Sequence, residues 1–229
     1  QIIYVAPGLE QGQDDTAWLQ IFDAMTREAG KHNVHALIAE IEEDSTLFET
    51  MRTAGFAVYA RQQIWRRLPH AYQHPTGNLL EVRKKTEADF TSIQSLFATT
   101  VPSLLQQIVI PDDDDDGLVY RKNNRVEAYF TLIEGRNGIY LIPYLHDDIS
   151  SEAPDIFAAV LRALNQRIDK VPLYMCVRRY QDWFTMSLRV LGFEPGPRQA
   201  VMVRHLTAGV RHARFKSVEA DLQANPVKP

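Results

Sequence analysis

Five consecutive carboxylates, Asp112–Asp116, are the densest chemical cluster in the chain. A calcium loop needs its ligands folded back at set spacing, with a glycine and a distal glutamate. That pattern is absent, so the run reads as a solvated loop before a strand. The alternative is a loop that discriminates a cationic acceptor. His32 with His35, and His70 with His74, are spaced to share a metal, but no cysteine or acidic partner stands at zinc-site spacing. No metal site is expected. Cys176 is the single cysteine and lies in a buried-looking strand, so it reads as a core thiol rather than a nucleophile. Arg61, Arg66 and Arg67 beside Trp65 form a small basic-aromatic cluster, for which salt pairing with the acidic loops is expected over RNA binding. Trp183 and Phe184 fall at core spacing in a helix.

Composition narrows the class. The chain has 229 residues, 45% apolar and 24% charged, with a net charge of −4. Those fractions are ordinary for a globular protein. The acidic balance gives no electrostatic reason to bind nucleic acid, where a basic stripe is expected. No apolar run approaches the roughly 18 residues of a membrane span, so no membrane partner is expected. No signal peptide is visible and one cysteine cannot form an internal disulfide, which makes the cytoplasm the default compartment. The chain does not begin with Met, and targeting cannot be judged from it.

The elements that must position these groups follow from periodicity and punctuation. Residues 2–6 read as a strand ended by Pro7-Gly8. Asp14, Asp15 and Thr16 open a helix over 15–29, with Trp18, Ile21, Phe22 and Met25 at helical spacing and Gly30 as its stop. Val34–Ile41 is a strand. Ser45 caps a second helix, ended by Gly55, and Phe56–Arg66 is a strand. Residues 69–78 are polar, carry two prolines and read as a linker. A strand at 79–84 leads through Thr86-Glu87-Ala88-Asp89 into a helix with Phe90, Ile93, Leu96 and Phe97. A less regular helix covers 101–110. Gly117–Lys122 and Arg125–Glu134 form a hairpin across Asn123-Asn124. Strand 139–145, helix 153–168, strand 173–177, helix 180–191 and strand 198–206 complete the order. Residues 207–229 read as a polar tail.

The chain also repeats itself weakly. Val34 matches Val171, Leu47 matches Phe184, Met51 matches Leu188, and Gly55-Phe56 matches Gly192-Phe193, all at an offset of 137. At that offset Ile38 meets Met175. Ile3-Tyr4-Val5-Ala6-Pro7 matches Ile139-Tyr140-Leu141-Ile142-Pro143 at 136. A period this long is a whole domain rather than a solenoid unit.

The order over 79–206, together with the two runs Met51–Phe56 and Leu188–Phe193, resembles the GNAT superfamily of acyl-CoA-dependent N-acyltransferases. The fold class expected is α/β (α+β), a mixed, mostly antiparallel sheet flanked by helices, in one and a half copies. Residues 1–68 are then the C-terminal half of one GNAT-like unit and 79–206 a complete second one. The resemblance implies that strands 2–6 and 139–145 each splay from the next strand. Acyl-CoA would sit in that gap, with its diphosphate on amides at the following helix N-terminus.

Both loops depart from the pattern that the resemblance implies. In the first unit Val5-Ala6-Pro7 fits the start, Glu10 takes the basic position, Gln13 and Asp15 take the glycine positions, and Gly12 stands one residue early. Val5, Ala6, Gly12 and Gln13 are the cofactor-binding candidates. In the second unit His146, Ile149 and Ser151 replace the basic residue and both glycines, among Asp147, Asp148 and Glu152. Carboxylates there repel a diphosphate that competes for the same amides. The tyrosine that often protonates the leaving thiolate is replaced by Met51 and Leu188, with Tyr174 and Tyr180 nearby in sequence. Tyr180 is the acid candidate and Glu127 the base candidate. The alternative for Glu127 is an outward-facing strand residue.

Two functions compete. One is an N-acetyltransferase that moves an acyl group from acetyl-CoA to an amine, on a small molecule or on a protein N-terminus or lysine. The other is a catalytically degenerate GNAT-like scaffold or interaction module, in which the last strand pairs across a homodimer.

Overall fold

The computed structural model describes residue 9 and residues 12–69, 80–109 and 111–206. The strand read at 2–6, most of the linker, the tail, and His70 and His74 lie outside them. The described chain runs α1 (Thr16–Lys31), β1 (Ala36–Glu42), α2 (Thr46–Thr53), β2 (Ala57–Arg67), β3 (Val82–Lys84), α3 (Phe90–Thr100), α4 (Ser103–Gln106) and β4 (Gly117–Lys122). It continues through β5 (Arg125–Gly135), β6 (Gly138–Leu145), α5 (Ala153–Ala163), α6 (Asn165–Ile168), β7 (Leu173–Arg178), α7 (Thr185–Val190) and β8 (Glu194–His205).

The helix ends show why these residues stop where they do. Asp14 accepts from the Thr16 amide at 3.0 Å and opens α1. Ser45 Oγ accepts from the Leu47 amide at 3.3 Å and opens α2. Gly55 and Gly192 close α2 and α7 with φ of +86° and +81°. In each case the next residue bonds back across the turn, Phe56 N–H to Met51 O and Phe193 N–H to Leu188 O, both at 3.0 Å. This is a Schellman end, in which the residue after the glycine packs on the helix residue it bonds to. Met51, Leu188 and both phenylalanines are buried accordingly. A Cβ at Gly55 would meet only Arg204 Nε, at 3.8 Å. Gly55→Ala should therefore lose about 1 kcal/mol, from the left-handed backbone alone. Urea denaturation checks this, and an unchanged midpoint would refute it. Gly30 does not stop α1. The helix runs through it to Lys31, and Asn33, at φ 56°, makes the turn instead.

Several boundaries differ from the periodicity. Helix 153–168 divides at Leu164 into α5 and α6. Residues 179–184 are a 3₁₀ segment kinked at Gln181, so α7 is only six residues long. The helix at 101–110 shrinks to α4, four residues after Pro102. β8 starts at Glu194 despite Pro195 and Pro197, because β1 pairs with it only as far as Gln199. Beyond that point no donor is required on that side. Asn123 and Asn124, both at positive φ, make the β4–β5 turn as expected.

All eight strands form one sheet in the order β1-β8-β2-β7-β6-β5-β4-β3. Only β6 and β7 are parallel. β8 lies between β1 and β2, so it is not the free edge that pairing across a dimer needs; among the described strands the edges are β1 and β3. At the centre of β2 and β8, Gln62 faces Gln199. The ladder shifts once on each side, at Tyr59 in β2 and around Gly196 in β8. Both the Gln62–Gln199 pair and the Tyr59–Gly196 pair stand 137 residues apart. Glu42 is opposite Gln199 and Arg178 opposite Gln62, and Glu42 and Arg178 stand 136 residues apart.

Along β2, Arg61 stands opposite Ala200 and Trp65 opposite Met175, all on one face. Ala200 packs under α1 and α2, and Met175 under α5 and α7. Those four helices share that face. On the other, Ile93, Phe97 and Leu105 of α3 and α4 meet Val119, Tyr129 and Tyr144.

Candidate functional site

β6 and β7 pair at Ile139–Leu173, Tyr140–Tyr174 and Leu141–Met175, and then separate. β6 continues to Leu145 and β7 to Arg178. The other side of β6 stays paired with β5 through Leu145, opposite Ala128. The last residues of β6 therefore turn one backbone edge into a gap. Gln181 Nε2 reaches across its mouth to Leu145 O at 3.2 Å.

On the α3/α4 face, Tyr144, Cys176, Arg178 and Tyr180 gather at this gap. Burial pushes the Tyr144, Tyr180 and Cys176 groups above their ordinary pKa values, so the phenols and the thiol are neutral at neutral pH. Cys176 is 1% exposed and donates to Gln62 Oε1 at 3.4 Å, in keeping with a core thiol. Arg178 is 5% exposed; its Nε and Nη1 make no well-formed hydrogen bond, and it lies against the Cys176 thiol and the Tyr180 hydroxyl. Tyr180 Oη lies against this guanidinium, and Gln181 Oε1 is buried without a partner.

The turn after β6 is a 3₁₀ segment over Asp147–Glu152. His146 Nδ1 accepts from the Asp148 amide at 3.3 Å, and the Ile149 side chain fills the core at 1% exposure. One amide is thus already satisfied, and a bulky residue stands where a glycine would let a phosphate approach. Past Leu141 the β7 side of β6 is without a ladder partner. The turn leading into α5 does not fit a diphosphate.

Glu127 is not an outward-facing strand residue. It is the extra residue where the β4–β5 ladder shifts between Tyr120 and Arg121, and it is 8% exposed. Its carbonyl accepts from the His146 amide at 2.9 Å, which places it beside the end of β6. Its carboxylate lies 3.8 Å from Arg125 Nε. Tyr120 and Lys122 are close by, both bound to Glu152; the Tyr120 hydroxyl donates at 2.6 Å. Burial, and then Glu152, push Tyr120 up to about 12. Lys122 holds Glu152 below the usual carboxylate range. Glu127 and Tyr180 thus flank the end of β6 with separate sets of partners.

Of the candidates at the first loop, Val5 and Ala6 lie outside the described residues. Gly12 has φ +85° and nothing within 4 Å of where a Cβ would stand. It and the exposed Gln13 precede α1, whose first amide is taken by Asp14. Asp112–Asp116 forms a loop held by Lys85 Nζ, which donates to Asp112 O and Asp113 O at 3.2 and 2.6 Å. The arginine cluster divides. Arg61 pairs with Glu43, Arg67 turns into the core and donates to Leu191 O at 3.2 Å, and Arg189 lies over the buried Trp65 ring. Among the described residues no three His, Cys, Asp or Glu side chains converge as a metal site, and no helix is long and apolar enough to cross a membrane.

Arg178 and Gln181 were not legible as site residues. The only sequence signal is an arginine pair, Arg178-Arg179, closing an apolar strand.

No family model and no curated protein matches this sequence. Solved structures do, with 108 chains matching. A functionally unknown conserved protein from Staphylococcus epidermidis aligns with TM-score 0.62 at 11% identity, over 84% of this chain and 81% of that one. A GCN5-related N-acetyltransferase from Kribbella flavida gives 0.58 at 14%, over 83% and 76%. A tandem GNAT protein from the clavulanic acid biosynthesis pathway gives 0.54 at 10%, over 86% and 71%. The class that the architecture defines is the GNAT-like α/β fold. At these identities the likeness establishes the fold and leaves the chemistry to the site.

Proposed function

We propose that the chain is a duplicated GNAT-type N-acyltransferase that transfers an acyl group from acetyl-CoA to an amine. The observation that carries this reading is the β6/β7 gap, where a parallel pair separates and leaves a strand edge free for an extended amide chain. Duplication is supported by the matching orders α1-β1-α2-β2 and α5-β7-α7-β8, the two Gly-Phe helix ends, and the bulges at one offset. Residues 1–68 would then be the C-terminal half of one unit and 79–206 the second, with 69–78 as linker. In this reading Tyr180, kept protonated by burial, gives the proton to the leaving thiolate, and Glu127 receives the proton of the amine. Val5, Ala6, Gly12 and Gln13 would receive a diphosphate at the first loop. The acceptor is a small-molecule amine or a protein N-terminus or lysine.

One observation favours a second reading, a non-catalytic scaffold. The entrance to α5 is closed to a diphosphate by His146 and its acidic neighbours, and buried Met51 and Leu188 stand where the resemblance implies a tyrosine. Calorimetric titration with acetyl-CoA separates the two. Binding of about one equivalent in the micromolar range supports the enzyme. In that case Gly12→Val tests whether the first loop takes part. No heat at millimolar ligand sinks the acyltransferase and leaves the scaffold.

A further inference from the structure

We infer that Arg178 is the anchor of a binding site for a small carboxylate with an apolar body, on the α3/α4 face of the sheet. The starting point is an uncompensated charge. Arg178 is 5% exposed, its Nε and Nη1 make no well-formed hydrogen bond, and the groups it lies against, the Cys176 thiol and the Tyr180 hydroxyl, carry no charge. The titratable groups that act on it most are Cys176, Tyr144 and Tyr180, all neutral at neutral pH, and it faces Tyr140 as well; Glu40, on β1, acts on Cys176 and Tyr140, but no ion pair joins it to Arg178. Glu42, on the same face, is three strands away across the row Glu42–Gln199–Gln62–Arg178. A guanidinium cannot discharge itself by losing its proton. Buried alone it costs several kcal/mol, unless an anion joins it.

The surroundings say which anion. The Tyr180 hydroxyl lies against Arg178, and its proton has no acceptor, so it is free to donate to an oxyanion held by the guanidinium. Ala60 is the next residue along β2 on the face of Gln62, which stands opposite Arg178. Ala60 and Tyr180 both line a cavity of about 340 Å³, together with Val58, Tyr59, Pro102 and Leu105. Arg61 and Arg179 stand at its rim, and no acid lines it. The walls are apolar and aromatic, and the floor is next to a buried cation. A compact oxyanion fixed by the guanidinium and the Tyr180 hydroxyl, with a hydrocarbon or aromatic body between Leu105 and Tyr59, satisfies both. A simple carboxylic acid and an α-amino acid share that chemistry. The site shares Tyr180 with the proposed acyl transfer but needs neither CoA nor the β6 edge, so the two can be tested apart.

The test is a thermal-shift and calorimetric series on the whole chain without CoA. The probes are isovalerate, phenylacetate, leucine, phenylalanine, leucinamide and inorganic phosphate. At least one carboxylate should bind and raise Tm, while leucinamide and phosphate do not. Response to leucine but not isovalerate identifies an amino acid; the reverse identifies a simple acid. Arg178→Met should weaken carboxylate binding by at least about tenfold. Its own Tm without ligand should equal or exceed that of the parent, because an unpaired buried charge is gone. Tyr180→Phe, which removes only the hydroxyl, should keep its fold and bind several-fold more weakly, so a failure of Arg178→Met to fold does not decide the matter. No carboxylate response in the parent chain overturns the inference. So does a response that Arg178→Met retains while losing stability. Acetyl-CoA binding with no carboxylate response would sink this site alone, and the converse would sink acyl transfer alone.

Discussion

Asp89→Ala is expected to destabilise the fold by about 3 kcal/mol, the lower end of what breaking a buried ion pair does. The Asp89 side chain is fully buried and has no spare acceptor. It takes Arg83 Nη1 and Nη2 at 2.7 and 2.8 Å, Arg121 Nη1 at 2.6 Å, and the Thr86 amide and hydroxyl at 2.9 Å each. One carboxylate thus ties the entrance of α3 to β3 and β4. Removing it leaves two arginines facing each other and two donors unmet. Both arginines keep some contact with water, which holds the loss near the lower bound. The dependence on pH has a definite sign. Arg83, ahead of the Thr86 and Arg121 hydrogen bonds, holds the Asp89 carboxyl well below its ordinary value of 3.8. A depressed carboxylate stabilises the folded state above the unfolded-state pKa and loses that contribution as pH falls through the folded one. The stability difference between the parent chain and Asp89→Asn should therefore be flat from neutral pH to about 4 and narrow below it. Urea melts at a series of pH values measure this. A difference that stays constant down to pH 2 would mean that the charge is not what Asp89 contributes.

How much of this could be read from residues alone depends on the range of the interaction. Local chemistry was legible. Ser45 caps α2, Asn123-Asn124 turns β4 into β5, and each Gly-Phe pair ends a helix because glycine takes the left-handed conformation and the phenylalanine folds back on the last turn. Gly30 misled because a glycine inside a helix looks like a stop, while Asn33 does the work three residues later. The sheet order was not legible. Residues 57–67 and 194–205 carry alternation that names a face, but alternation does not name a neighbour across more than 130 positions. The insertion of β2 between β7 and β8 rests on those long-range ladders. The site was partly legible. The sequence offered Tyr180 and Glu127, which the fold sets near the end of β6, but not Arg178, which is buried there without an ion pair. An arginine's burial is set by what surrounds it in space, and its own letter in the sequence says the opposite.

Gly196→Ala should cost about 1–3 kcal/mol through overpacking at the seam between β2 and β8. A Cβ there would stand 2.7 Å from the Ile64 carbonyl oxygen, a backbone atom that no side-chain rotation can move aside. The strand itself must shift. It is poorly placed to do so, since Gln63 Nε2 donates to Gly196 O at 2.7 Å and the next residues are locked between β1 and β2. The counterpart of Gly196 across the Gln62–Gln199 centre is Tyr59, the bulge residue of β2, and it carries a full side chain whose hydroxyl meets His205 Nε2. The two bulges therefore relate the strands in register but not in the room they leave. Tyr59→Phe, which removes one half-exposed hydrogen bond, should lose no more than about 1 kcal/mol. Urea denaturation of both variants compares them directly. If Gly196→Ala is as stable as the parent, then β8 has freedom at the bulge that the close approach to Ile64 denies it. The seam would then be a place where β2 and β8 can slide, rather than the rigid joint that holds β7 and its buried Arg178 against the gap.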